Sequence, residues 1–218
     1  IFQITKNNDD LTKLNVVVND LKTDFDGQLY YTYDDATNSL TSENEAVFHG
    51  DDSLAKYFVA KVGDTYYKTL SAAITAAEDG QTVKMLNDTK VTEEISFSGK
   101  KITLDLNGKI ITGEFKDNYS VIEAQGENGS LTLTDTSADK AGKLASNKYG
   151  ISAADGGKLI VNSGTVEAGY AALSGNNTAG DMNFEVNGGT LTSKQSEAIY
   201  MPGQQNLVVN GGVINGGI

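Results

Sequence analysis

The sequence predicts an all-β protein wound as a right-handed parallel β-helix, with a capping helix at its N-terminal end and a small β-rich region before that. Three observations carry this expectation. One short pattern recurs as KLIVNSGTVEAGYAALSG, NFEVNGGTLTSKQSEAIYM and NLVVNGGVINGGI, earlier as KITLDLNGKIITG, and loosely as SLTLTDTSADKAGKLAS. Within each copy apolar residues alternate, which is the period of a strand with one buried face. The copies follow one another at roughly 20 to 30 residues, the spacing of stacked solenoid units. Their unequal steps exclude the hexapeptide β-helix, and the GGxGxDxUx run of the calcium-binding nonapeptide roll is absent. A leucine-rich repeat would need a helix or a longer consensus in every unit. Right-handedness follows from the near-universal hand of parallel crossovers.

Residues 1–57 do not carry the repeat and form the expected β-rich subdomain, or the tail of a preceding domain. Alternation predicts strands at Leu14 to Val18 and at Leu29 to Tyr33, with Asp26-Gly27 as a hairpin turn between them. The repeat-bearing unit is taken as residues 58–218. It opens with FVAKVGDTYY, a strand and turn. Leu70, Ala73, Ile74 and Ala77 then fall on one face of a helix of about nine residues, with Thr69 capping its start and Gly80 ending it. An amphipathic helix at that place covers the open apolar end of the first rung, given by TVKML and EISF.

Alignment on the asparagine places Asn107, Thr134, Asn162, Asn187 and Asn210 in one column. The first strands then supply Leu104 and Leu106, Leu131 and Leu133, Leu159 and Val161, Phe184 and Val186, and Leu207 and Val209 to the interior. A second column reads Ile110, Leu144, Val166, Leu191 and Ile214. A third reads Val121, Ile151, Ala172, Ile199 and Ile218. Stacked asparagines bond amide to amide along the axis, and the glycines after them permit a left-handed corner. Ile218 falls inside a turn of the coil, so the chain is expected to be a fragment whose uncovered end associates end to end with another molecule. The longer loops, residues 113–119, 135–142 and 174–181, are where a solenoid accumulates its variable surface.

The run from Ala60 to Gly113, AKVGDTYYKTLSAAITAAEDGQTVKMLNDTKV with KKITLDLNGKIITG, followed by NGGTLTS and AIYMPGQQNLVVNGGVING, resembles the pectate-lyase-like β-helix modules in large surface proteins of Gram-positive gut bacteria. The resemblance spans about Phe58 to Ile218. It implies the fold and a secreted or cell-surface setting, and no particular activity.

Composition narrows the function classes. A net charge of −12 over 218 residues, with no arginine, excludes the clustered cations that nucleic acid requires. No stretch approaches the 18 to 20 apolar residues of a membrane span, so membrane insertion is not expected. No cysteine is present and no cofactor motif occurs. Lyases that share the implied scaffold use calcium with an arginine or lysine base, and hydrolases use clustered aspartates. The outward positions of the first strand read Asp105, Thr132, Ile160, Glu185 and Val208, and Asp105 and Glu185 lie about 14 Å apart, three interstrand spacings. That exceeds the 5 to 9.5 Å of paired glycosidase carboxylates.

His49 is the one histidine and sits in an acidic loop, without partners for nucleophilic catalysis. Asp24, Asp26 and Gly27 lack the later ligands of a calcium loop, and a hairpin turn accounts for them. Asp9-Asp10, Asp34-Asp35 and Asp51-Asp52 are solvated loop acids. Tyr119, Tyr149 and Tyr170 each precede a third-column residue by two and form the candidate ligand-binding row. Stacked along a corner they rigidify the coil; exposed, they present flat faces to sugars. The expected function is a non-enzymatic surface module acting as a stalk or adhesin platform, with glycans or surface proteins as partners. The alternatives are a carbohydrate-binding module and a non-catalytic part of a polysaccharide-processing enzyme.

Overall fold

The computed structural model describes residues 58–176, 182–202 and 205–217. The expected strands before Tyr57, together with His49, the paired aspartates and Ile218, lie outside them. Two short antiparallel strands come first, β1 (Ala60–Val62) and β2 (Thr65–Tyr67), and then helix α1 (Leu70–Ala76). Turns of three strands follow. These are β3 (Thr82–Met85), β4 (Thr89–Val91) and β5 (Ile95–Ser98); β6 (Lys101–Asp105), β7 (Ile110–Gly113) and β8 (Ser120–Gln125); β9 (Ser130–Thr134), β10 (Lys143–Ser146) and β11 (Tyr149–Ala154). The next are β12 (Lys158–Val161), β13 (Thr165–Ala168) and β14 (Leu173–Asn176); then β15 (Met182–Val186), β16 (Thr190–Glu197) and β17 (Ile199–Tyr200). Strands β18 (Gln205–Val209) and β19 (Val213–Gly217) begin a further turn.

First, second and third strands of successive turns stack into three parallel sheets, ordered β3-β6-β9-β12-β15-β18, β4-β7-β10-β13-β16-β19 and β5-β8-β11-β14-β17. The protein is therefore an all-β parallel solenoid of about five turns with one short helix. Strand β1 pairs antiparallel with β3 and continues the first sheet beyond it. Apolar core columns run in register along the sheets: Val83, Leu104, Leu133, Val161, Val186 and Val209 in the first sheet. Ile111, Leu144, Val166, Leu191 and Ile214 face them from the second sheet. Ile95, Ile122, Ile151, Leu173 and Ile199 close the interior from the third. All are buried until the last turn, and each such side chain contributes roughly 1.5–3 kcal/mol over an exposed one.

Expected positions shift in all three sheets. In the second turn Ile102 and Leu104, not Leu104 and Leu106, pair with Leu131 and Leu133. Asp105 consequently takes the place opposite Thr134, and Asn107 leaves the asparagine column. Three alternating apolar residues, Ile102, Leu104 and Leu106, left the phase open by two; the third is buried in the corner beneath Gly142 and Gly164. Asn107 and Gly108 both adopt left-handed backbone, φ 46° and 76°, in a corner two residues longer than the one between Val161 and Val166. Ile111 rather than Ile110 therefore points inward, fully buried against 38% exposure for its neighbour. In the third sheet the aligned positions are Ile122 and Leu173, one residue beyond Val121 and Ala172, although those two are buried as well.

The remaining ladder stands as expected. Asn187 Nδ2 donates to Asn162 Oδ1 at 3.0 Å, and Asn210 Nδ2 to Asn187 Oδ1 at 2.7 Å. The corner below turns on Gly164 and Gly189, with φ 89° and 82°; a Cβ on Gly189 would lie 2.5 Å from the Gly164 carbonyl oxygen.

Helix α1 buries Leu70, Ala73 and Ile74, and Thr69 Oγ1 accepts the Ala72 amide at 3.1 Å. It is shorter than expected, ending at Ala76 with Ala77 extended, well before Gly80. Lys100, from the corner after β5, supplies the reason. Its Nζ donates to the carbonyls of Ile74, Thr75 and Ala77 at 2.9, 2.9 and 2.7 Å, satisfying the orphan acceptors of the last turn. Lys100→Met is expected to cost about 2 kcal/mol, the scale of hydrogen bonds to a charged group. Faster amide exchange confined to Ala73 and Ala77, with the solenoid amides unchanged, is the measurement that checks it.

Candidate functional site

The third corner brings the tyrosines toward one side of the coil. Tyr149 opens β11, where it pairs with Ser120, and its ring lies 5.5 Å from that of Tyr170 at an interplanar angle of 50°. Contact at that distance and tilt is favourable between aromatic quadrupoles. Tyr119 is exposed, and its ring packs edge to face on Phe115 at 6.3 Å. The register explains the difference. Tyr149 precedes the core residue Ile151 by two, whereas Tyr119 and Tyr170 precede Ile122 and Leu173 by three, so the corners differ by one residue.

Two further groups join the Tyr149–Tyr170 pair. Lys148 Nζ sits 5.4 Å from the centre of the Tyr170 ring, a cation–π contact. Tyr200, on β17 beside Ser174, is 44% exposed and lies close enough to influence the Tyr149 phenol electrostatically. Burial first, and then Tyr200, Tyr170 and Glu197, hold the Tyr149 hydroxyl above its usual pKa, so it remains a protonated donor. Tyr200 escapes a search for residues two before the core column because it follows Ile199 instead. The patch offers aromatic faces, a cation and phenolic hydroxyls, groups that can stack on and hydrogen-bond a ligand.

Two buried carboxylates form a second cluster at the corner between the first and second sheets. Asp105, 3% exposed, accepts the Asn107 and Thr136 amides at Oδ1 and the Thr136 hydroxyl at Oδ2, at 3.0, 2.9 and 2.7 Å. It is therefore a corner clasp, and Thr103 takes the outward place opposite Thr132. Asp135, fully buried, accepts at Oδ1 from Gly108 N, Ser137 N and Ser137 Oγ at 2.9, 3.1 and 2.8 Å, and at Oδ2 from Gly142 N at 2.6 Å. Every oxygen of the pair is engaged by the fold.

A third cluster lies on the outer side of the third sheet. Glu94 Oε2 accepts the Ser120 amide at 2.7 Å, and Glu123, 5% exposed, accepts from Gln125 Nε2 at 2.6 Å and Ser152 Oγ at 3.3 Å. Burial raises the Glu94 pKa, the Ser120 hydrogen bond opposes this, and the Glu123 charge adds to it. On the second sheet Glu167 bridges Lys194 at 2.5 Å and Lys143 at 3.6 Å, and on the first Glu185 accepts from Lys158 at 3.2 Å. Such partly exposed pairs contribute little stability.

Among the described residues no three His, Cys, Asp or Glu side chains are gathered as a metal would need, and no helix is long and apolar enough to cross a membrane. Comparison with known protein families finds no family model that matches the chain, and comparisons with curated proteins and with solved structures find no match.

Proposed function

We propose that this chain is a rigid, non-enzymatic module of an exported surface protein, serving as a spacer or adhesive platform. The observation that carries this reading is the unbroken register of the core columns, in which Val83, Leu104, Leu133, Val161 and Val186 stack turn upon turn. A rod held by nearest-neighbour rungs keeps its length and direction, which is what a spacer requires. The right-handed coil, helix α1 as the cap of the first rung, and a setting like that of the Gram-positive surface modules all belong to the same reading. Ala60 to Gly113 supports it by resemblance. Incubation with polygalacturonate and with neutral glycans, with or without calcium, is expected to leave both intact; calcium-dependent release of unsaturated products overturns it.

Carbohydrate binding is the second reading, and the Tyr149–Tyr170 contact beside exposed Tyr200 favours it. A glycan array on the purified chain tests it, with Tyr149→Ala as the paired variant. Saturable binding lost in that variant at unchanged melting temperature supports a sugar site. A lowered melting temperature with no glycan bound by either protein assigns the tyrosines to the scaffold.

A further inference from the structure

An asparagine followed by glycine can lose its side-chain amide to the next backbone nitrogen, because glycine carries no Cβ to hinder the attack. The chain contains this pair five times, at Asn107, Asn128, Asn187, Asn210 and Asn215. Reaction requires that the glycine nitrogen reach the asparagine Cγ and that the amide group be free to leave. The fold treats the five sites differently.

In four of them the leaving nitrogen is held. Asn107 Nδ2 donates to the Met85 carbonyl at 2.9 Å, and Asn215 Nδ2 to Thr192 Oγ1 at 3.2 Å. Asn187 Nδ2 donates to Asn162 Oδ1 and Glu185 Oε1, both at 3.0 Å, and Asn210 Nδ2 to Asn187 Oδ1 at 2.7 Å. The attacking nitrogen is engaged as well at Gly108, which donates to Asp135 Oδ1 at 2.9 Å. Gly188 and Gly211 donate in the same way to the carbonyls of Val161 and Val186 at 3.3 Å. The amide ladder of the first sheet therefore also shields its own asparagines.

Asn128 stands apart. It is exposed in the turn from Gly126 to Gly129 that joins β8 to β9, and among the described residues its side chain has no hydrogen-bond partner. Only the Gly129 amide is bonded, to the Gly126 carbonyl at 2.8 Å across the same turn, and a single bond in a surface turn opens readily. Packing also fixes the glycine: a Cβ on Gly129 would collide with the Gln125 carbonyl oxygen. The corner thus demands the one residue that leaves the attack unhindered.

We propose that Asn128 is a site of spontaneous modification, converting to aspartate and isoaspartate while the folded chain protects the other four pairs. The Gly129 nitrogen gives its proton to solvent base and bonds to Asn128 Cγ; the Cγ–Nδ2 bond breaks and ammonia leaves, closing a succinimide ring. Water then adds to a ring carbonyl and reopens it. Addition at Cγ leaves aspartate; addition at the main-chain carbonyl leaves isoaspartate, in which the chain runs on through Cβ and Cγ. Nothing is oxidised or reduced. The longer main chain is set into a packed corner, where Glu127 lies against Gly156 of the next turn and the Gly129 carbonyl accepts the Lys158 amide at 2.9 Å.

Peptide mapping by mass spectrometry of the full chain, aged in neutral to mildly alkaline buffer, tests this. Asn128 is expected to convert at least about tenfold faster than the other four, since each of those must first open its hydrogen bonds. In urea all five should convert at similar rates. Asn187→Ala, which removes the acceptor of the Asn210 amide, is expected to speed conversion at Asn210 severalfold and leave Asn128 unchanged. In the aged native chain the Lys158 amide should exchange faster, and in equally aged Asn128→Ser it should not. Conversion at Asn107, Asn187, Asn210 or Asn215 as fast as at Asn128 in the folded chain overturns the assignment. So does an Asn128 that stays intact when folded but converts in urea.

Discussion

Val186→Asp is expected to cost on the order of 4 kcal/mol or more, because it leaves an unpaired carboxylate in a packed apolar interior. Val186 is completely buried, with Val161 and Val209 in register on either side and Phe184 two residues before it on the same face. None of these side chains can donate a hydrogen bond. At roughly 2–4 °C per kcal/mol for a chain of this size, the melting temperature falls by about 10 °C. The same substitution at Val208, one rung on but facing outward at 49% exposure, is expected to change stability by less than about 1 kcal/mol. The contrast tests the assignment of faces, since equal effects at the two positions, or a larger one at Val208, would mean that the inside and outside of the first sheet are exchanged. Because rungs couple only to their neighbours, the loss at Val186 also uncouples the last turns from the rest. Amides of β18 and β19 should therefore exchange faster than those of β6 and β9.

The columns were legible wherever one residue type marked the phase. Asn162, Asn187 and Asn210 share a place in three consecutive copies and fix the register of the last turns, so the first-sheet core from Leu131 onward could be read without coordinates. Around Asn107 the same spelling misleads. Ile102, Leu104 and Leu106 alternate without a break, and only packing decides that Leu106 fills the corner. An error of two residues preserves the face, so both readings bury leucines; an error of one reverses it, as at Ile110 and Ile111. The tyrosine patch was half legible. Tyr149 and Tyr170 could be found by their offset from the core column, but the proximity of Tyr200 and the seat of Lys148 over a ring depend on corner lengths that no local pattern records. Least visible was Asp135. Its partners Gly108, Ser137 and Gly142 come from two turns, and their amides converge through backbone geometry rather than residue type.

Removing that carboxylate is expected to have the second largest effect. Asp135→Ala leaves the amides of Gly108, Ser137 and Gly142 and the Ser137 hydroxyl without their acceptor in a site closed to water, a loss of about 3 kcal/mol or more. Asp135→Asn is the finer probe, because its amide keeps one oxygen for the Oδ1 donors but turns an NH2 group toward the Gly142 amide. The carboxylate also makes stability depend on pH. Burial acts to raise its pKa, but the hydrogen bonds from Ser137, Gly108 and Gly142 outweigh burial, and the folded value lies below the ordinary one. A depressed carboxyl contributes stability that is fully present above its unfolded pKa, near 3.9, and is lost as the pH falls through the lower folded value. The difference in unfolding free energy between the native chain and Asp135→Asn should accordingly be constant from neutral pH down to about 5 and shrink below about 4. Glu167 and Glu185, also lowered by their partners, titrate equally in both proteins and cancel in that difference. A difference that stays constant to pH 2, or grows on acidification, would show that Asp135 holds the corner as a neutral group, with a proton shared among its donors.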